Sequence, residues 1–166
     1  MDDSLKKGIS FGLTSGIITT LGLMVGLEAG TQSKLAVIGG VLTIAVADAF
    51  SDALGMHISE ESDSSHSKIQ IWTATISTFL AKFIFAISFT VPVIFLGLST
   101  AVGVSIIWGL SWLALLSYLI SDEEKEPVFK VIIEHLLIAV LVIVITHYLG
   151  HYISSVFASI PASEVL

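Results

Sequence analysis

Cysteine and arginine are absent from this chain of 166 residues, and charged residues are scarce at 13%. Without cysteine, neither disulfide bonds nor thiolate chemistry can occur. The seven basic residues are therefore all lysines, and with a formal net charge of −7 we expect no nucleic-acid partner, because such binding needs a basic patch. Soluble domains carry about 25% charged residues, so the shortage of charge also argues against a soluble fold.

Apolar residues take the place of the missing charges. They make up 54% of the chain, and the mean hydropathy is +0.95. A transmembrane helix needs about 20 mostly apolar residues, and the first such run is too long to be the core of a signal peptide. We predict an all-α integral membrane protein with a single transmembrane domain over residues 1–166. Its five helices cover approximately residues 8–27, 35–58, 69–90, 93–120 (with a break near 97–103) and 128–155.

The lysines predict the orientation of these spans, because cytoplasmic loops carry an excess of Lys and Arg. With a cytoplasmic N-terminus, Lys34 is the one lysine in a loop on the outer side. The lysines that would then be cytoplasmic are Lys6, Lys7, Lys68, Lys125 and Lys130. The acidic loop at residues 59–68 is also cytoplasmic in this orientation, as is a second one at 121–127. In a prokaryote the membrane would be the cell membrane.

Two carboxylates, Asp48 and Asp52, lie inside the second apolar run. A charged side chain at the centre of a membrane helix costs about 2.5–3.5 kcal/mol on insertion scales. On a helix of 3.6 residues per turn the two are about 40° apart, and Met56 and Ser59 extend the same face while His57 points the opposite way. Because that face cannot meet lipid, we expect it to line a cavity, to pair with Lys82, or to meet a second copy of the chain.

Carboxylate oxygens suit hard divalent cations, and a thioether or imidazole extends the range to Fe²⁺ and softer metals. Burial and mutual repulsion favour protonation of paired carboxylates, so such a site could exchange a metal ion for protons. The candidate metal ligands, which lie on the second span and just beyond it, are Asp48, Asp52, Met56, Glu60 and Glu61. The candidate path-lining residues, all of which carry a hydroxyl group, are Ser15, Thr19, Ser51 and Ser59.

Each of these interpretations has a structural alternative. Lys82 could hold the second and third helices together through one aspartate, or act as a gate. The acidic loop, with Asp63 and His66 beyond Glu60 and Glu61, could gather cations or be a solvated helix end. The small and hydroxyl residues of the first span could form a polar wall or a close helix contact. His147 and His151, one turn apart, could hold a metal or be interfacial hydrogen-bonding groups. We find no nucleophile set or phosphate loop, so we predict no enzyme and no cofactor.

Three parts of the sequence are similar to the vacuolar iron transporter family, the divalent-metal exporters of plant vacuoles and their yeast and microbial relatives. Residues 12–26 (GLTSGIITTLGLMVG) resemble the family's opening helix, and residues 51–59 (SDALGMHIS) resemble its second-helix pattern. Residues 89–92 (FTVP) and 146–150 (THYLG) are similar to parts of the third and fifth helices. The resemblance implies a homodimer with a path between protomers lined by the first two helices. It also implies proton-coupled export of Fe²⁺ or Mn²⁺ from the cytosol.

The chain departs from the family pattern at the residues that matter most for metal binding. The family's first-helix Asp falls on Ser15, its second-helix Met falls on Asp52, and its second-helix Glu falls on Met56. Asp48 is additional, Lys82 has no obvious counterpart, and the family's cytoplasmic metal-binding helices are missing. The resemblance therefore supports the predicted fold more strongly than it supports the predicted substrate.

Overall fold

The computed structural model describes the backbone of residues 3–124 and 127–157, and the side chains of 3–120 and 127–157. This part of the chain is helical, with no strand. The helices, in chain order, are α1 (Asp3–Thr31), α2 (Lys34–Glu61), α3 (Lys68–Ser88), α4 (Thr90–Phe95), α5 (Leu98–Glu124) and α6 (Val128–Phe157). Five candidate spans are long and apolar enough to cross a membrane, with α3 and α4 together forming the third. The predicted all-α fold with five transmembrane helices is confirmed.

The connections between the first three spans are short and locally stabilised. Gln32, at φ 50°, turns the chain between α1 and α2. Ser33 then caps α2 by accepting a hydrogen bond from the Ala36 amide. At the other end of α2, residues 62–67 lead to a capping box in which Ser67 and Gln70 each accept a backbone N–H of the other. These caps satisfy amide groups that would otherwise lack a partner at the start of each helix.

The boundary between the third and fourth spans lies later than predicted. The fourth span begins at Leu98 rather than at residue 93, and residues 90–95 continue the third span as α4. Pro92 lies in the first turn of α4, where its missing N–H would have no helical partner in any case. The chain reverses after Leu96, and the Gly97 carbonyl accepts the Ala101 amide at 2.8 Å as α5 starts. The predicted acidic loop at 121–127 is also shorter, because α5 continues to Glu124; residues 125 and 126 lie outside the described chain.

α1 is the central helix and contacts α2, α3, α5 and α6. Its glycines permit the closest contacts. Gly12 faces α3, where an added Cβ would lie 2.5 Å from the Thr78 carbonyl oxygen, and Gly26 faces Thr146 of α6. The close-packing interpretation of the small residues in the first span is therefore correct for its glycines.

Large apolar side chains cover much of the outer surface of the chain. Phe50, Ile107 and Leu137 are 62%, 70% and 62% exposed, respectively. Together with the five apolar spans, this surface is compatible with a multi-pass membrane protein, in which lipid covers the outward-facing side chains.

Candidate functional site

A buried lysine joins three helices near the middle of the bundle. Lys82 of α3 is only 1% exposed, and its Nζ lies 2.5 Å from Oδ2 of Asp48 and 2.5 Å from Oδ2 of Asp52, both on α2. Nζ also donates to the Ser15 hydroxyl of α1 at 2.8 Å. We call Asp48, Asp52 and Lys82 the triad site; Ser15 is its partner on a third helix.

The sequence expectation of an ion pair with Lys82 is met by both aspartates at once rather than by one. The two carboxylates and one ammonium leave one net negative charge. Lys82 forms a hydrogen bond with Asp52, whereas Oδ2 of Asp48 is close to the ammonium without hydrogen-bond alignment. The ammonium therefore serves as the shared counter-ion of both carboxylates.

Helix packing explains how the lysine reaches this position. A Cβ at Gly16 of α1 would lie 3.3 Å from Cγ of Lys82, so the absence of a side chain there lets α1 lie directly over the lysine stem. The long lysine side chain therefore passes α1 at a glycine and reaches the two aspartates of α2.

The two carboxylates are not sealed on all sides. The side chains of Asp48 and Asp52 are 26% and 19% exposed, on a surface of α2 that contains small and polar groups. The exposed small and polar residues of this surface are Ala47, Ser51, Gly55 and Ser59. Ser51 and Ser59, predicted to line a path, lie on this outer surface, which we call the α2 stripe.

Met56 and Glu60 continue the carboxylate face toward the end of α2, and both are buried, at 7% and 1% exposure. Glu60 pairs with Lys7 of α1 through one oxygen. Its other oxygen lies 3.1 Å from Nδ1 of His66 in the loop. In this arrangement Glu60 joins the first helix to the loop and does not face solvent.

Asp63 organises the loop that follows. It accepts the Ser65 amide at 2.9 Å and the Ser65 hydroxyl at 2.7 Å. The backbone hydrogen bond, followed by that of the hydroxyl, lowers the pKa of Asp63 below its usual value, because both stabilise the charged form. Nε2 of His66 is 4.0 Å from the same carboxylate.

Glu61 lies apart from the other candidate ligands. It lines a small pocket between α2 and α3 together with His57 and Trp72. Nδ1 of His57 is 3.0 Å from the Thr75 hydroxyl of α3. Glu60 and Glu61 therefore lie in different surroundings, because consecutive helix positions point about 100° apart.

Thr19 lies one turn along α1 from Ser15, and its hydroxyl donates to the Ser15 carbonyl at 2.8 Å. It lines an apolar groove of about 600 Å³ between α1 and α6. The hydroxyl groups of the first span thus contribute differently, since Ser15 touches Lys82 while Thr19 bonds to its own backbone.

The histidine pair lies far from the other candidates. The ring centroids of His147 and His151 are 4.6 Å apart. The neighbouring Gly150 packs against the last turns of α1. Glu60, by contrast, pairs with Lys7 near the start of α1. Within residues 3–120 and 127–157, no three or more His, Asp or Glu side chains gather in a group that could hold a metal ion. The acceptor groups around Lys82 are two carboxylates and one hydroxyl.

No protein-family model and no curated protein matches this chain. The similarity to vacuolar iron transporters stays a prediction, and the triad site has to be interpreted from its own geometry.

Proposed function

We propose that this protein is a proton-coupled transporter of divalent metal cations, with Fe²⁺ or Mn²⁺ as substrate and export from the cytosol as its direction. The observation that supports the proposal best is the sharing of one buried ammonium by two intramembrane carboxylates. Ionisable groups inside a membrane are expensive and commonly mark ion pathways. Here the chain keeps three of them together on its second and third spans.

In this proposal Lys82 is the internal competitor of the transported ion. A divalent cation that binds Asp48 and Asp52 displaces the ammonium, and Lys82 releases one proton to water. The site then changes from one net negative charge to zero, since two negative carboxylates balance two positive charges and the amine is neutral. When the cation leaves, Lys82 takes up a proton and returns to the carboxylates, so ion binding and proton binding exclude each other.

We further propose a homodimer formed through the α2 stripe. Exposed carboxylates at membrane depth need a polar or protein cover. Small residues such as Ala47, Ser51 and Gly55 allow two helices to approach closely. A twofold axis along this surface would also bring the second copy's carboxylates to the first, which raises the number of oxygen ligands toward the six or more that hard divalent cations take.

Cross-linking tests this arrangement directly, because the chain has no cysteine of its own. Ser51→Cys should form a covalent dimer in membranes under mild oxidation. Leu137→Cys, on the exposed surface of α6, is the matched control and should remain a monomer. Equal cross-linking of both variants, or of neither, would contradict a dimer through α2.

We assign the cytoplasmic side to the N-terminus and to the α2–α3 loop, following the distribution of lysines. Lys7, Glu60 and His66 then form a polar cluster at the cytoplasmic end of the helix that carries the aspartates. Met56, between the cluster and the triad site, is the softer ligand available to Fe²⁺.

The decisive experiment measures Mn²⁺ or Fe²⁺ flux into proteoliposomes with an imposed pH gradient. Wild-type protein should show gradient-dependent uptake, and Asp48→Asn and Asp52→Asn should each abolish it. Glu134→Gln, an exposed acid on α6, is the control and should transport normally. Flux in both aspartate variants at the wild-type rate would refute the assignment.

The complete burial of Lys82, with three polar partners, favours a second candidate, a non-transporting structural lock. The triple variant Asp48→Asn/Asp52→Asn/Lys82→Met separates the two. A structural lock predicts that the variant keeps the protein's native activity or partner, whereas the transport proposal predicts a folded protein without flux.

A further inference from the structure

A second charged site lies at the end of the bundle where α2 finishes and α3 begins. It is a pocket of about 180 Å³, lined by His57, Glu61, Lys68, Ile71 and Trp72. Glu61 and Lys68 carry opposite charges, yet neither forms an ion pair with any side chain in the part of the protein that the structure describes. The pocket therefore presents a negative and a positive group that are both free to bind a ligand.

His57 adds a hydrogen-bond acceptor to this pocket. The Thr75 hydroxyl donates its proton to the Ile71 carbonyl at 2.8 Å. The same hydroxyl oxygen must then accept from Nδ1 of His57, which is 3.0 Å away. When the imidazole is neutral, Nε2 is consequently the acceptor nitrogen. The pocket thus combines two acceptors, Glu61 and His57, with one cation, Lys68.

Two apolar grooves begin at this pocket. One, of about 460 Å³, runs between α2 and α3 and shares His57 and Trp72 with the pocket. The other, of about 510 Å³, lies along α3 and shares Lys68 and Trp72 with it. Trp72 is 56% exposed and separates the two grooves. Tryptophan is enriched where membrane protein surfaces meet the headgroup region.

We propose that this surface binds a phospholipid with an ethanolamine headgroup. Lys68 binds the phosphate, Glu61 and Nε2 of His57 accept hydrogen bonds from the primary ammonium, and one acyl chain lies in each groove on either side of Trp72. The ligand and the pocket are complementary in charge, since each carries one positive and one negative group. An acidic headgroup without an amine would place its negative charge beside Glu61, with nothing to pair that carboxylate.

The number of N–H donors on the lipid headgroup gives a test that needs no variant. Purified wild-type protein, in detergent with EDTA so that no divalent ion bridges Glu61 to phosphate, is titrated with four lipids of identical acyl chains. The lipids are phosphatidylethanolamine, its N-methyl and N,N-dimethyl derivatives, and phosphatidylcholine, with phosphatidylglycerol as an anionic comparison. Native mass spectrometry counts the bound lipid.

We expect affinity to fall stepwise as N–H donors are replaced by methyl groups, by about tenfold from phosphatidylethanolamine to phosphatidylcholine, because charged hydrogen bonds are lost. Equal binding of these two lipids, or stronger binding of phosphatidylglycerol than of phosphatidylethanolamine, would overturn the proposal. The first outcome would mean that the grooves take any lipid, and the second would mean a site for anionic lipids.

Variants then assign the site to this pocket. Glu61→Gln should remove the preference for phosphatidylethanolamine over phosphatidylcholine, and Lys68→Gln should weaken both lipids. The double variant Glu134→Gln/Lys130→Gln removes an acid and a lysine from exposed positions of α6 and should bind like wild type. Loss of selectivity in the α6 variant, or its persistence in Glu61→Gln, would place the site elsewhere. Both pocket charges lie on the surface, and thermal unfolding verifies that each variant is folded. Because the readout is lipid binding, its result is independent of any metal flux.

Discussion

Replacing Lys82 by Met tests the electrostatic account of the triad site most directly. The substitution keeps an unbranched side chain and removes the ammonium, so Asp48 and Asp52 lose the counter-ion that lies 2.5 Å from Oδ2 of each. Removing one partner of a buried ion pair costs about 3–5 kcal/mol. For chains of this size each kcal/mol lowers Tm by about 2–4 °C, so we expect a decrease of about 6–20 °C.

Thermal unfolding followed by tryptophan fluorescence, in detergent, measures this decrease in Tm. Asp48→Asn/Asp52→Asn/Lys82→Met, which removes all three charges, should recover most of the lost Tm. Lys68→Met, which removes an exposed lysine at the start of α3, is the control and should show a small effect. If Lys82→Met alone is as stable as wild type, or if the triple variant is no better than the single one, the ammonium does not stabilise the carboxylates as described.

Three further predictions concern local packing and the loop. Gly12→Ala should destabilise the protein by about 1–3 kcal/mol, because the added methyl group meets a backbone carbonyl of α3. Gly103→Ala, whose methyl group would have open space, is the control and should be neutral or stabilising. Thermal unfolding of both variants and of wild type measures the difference. Ser33→Ala should cost about 0.5–2 kcal/mol in the same assay through loss of the α2 cap. Ser65→Ala should raise the pKa of Asp63 toward its usual value in a carboxyl NMR titration. A carboxyl whose pKa is lowered by folding stabilises the fold at pH values above its unfolded-state pKa, and this stabilisation is lost as pH falls through its folded-state pKa. Ser65→Ala should therefore lose the stabilisation from Asp63 at a higher pH than wild type does.

The spans were predictable because a membrane helix can be recognised from consecutive residues alone. A run of apolar residues identifies a membrane helix whatever it packs against, and the five runs correspond to α1, α2, α3 with α4, α5 and α6. The end of the third span was predicted too early, at residue 90. In the structure Pro92 lies beyond it, in the first turn of a short new helix, a position that proline tolerates.

The triad site was predictable only in part. Periodicity placed Asp48 and Asp52 on one face and gave Lys82 a similar depth, but it could not show that one lysine would reach both carboxylates. That outcome depends on the distance between helices, which Gly16 sets by letting α1 lie over the lysine stem. The contact with Ser15 follows from the same closeness. The signal available in the sequence was Gly16, directly after Ser15, in a helix that could pack against the intramembrane Lys82.

The glycines of α1 also constrain the number of residues between its contact with α3 and its contact with α6. Gly8, Gly12 and Gly16 face α3, whereas Gly22, Gly26 and Gly30 face α6. Each set repeats every four residues, but the step from Gly16 to Gly22 is six residues, which turns the second set by about 120° around the helix axis. Inserting one residue in that step would swing one half of α1 by about 100° and drive bulky side chains into a neighbouring helix, so this short interval should tolerate substitution far better than any change in its number of residues.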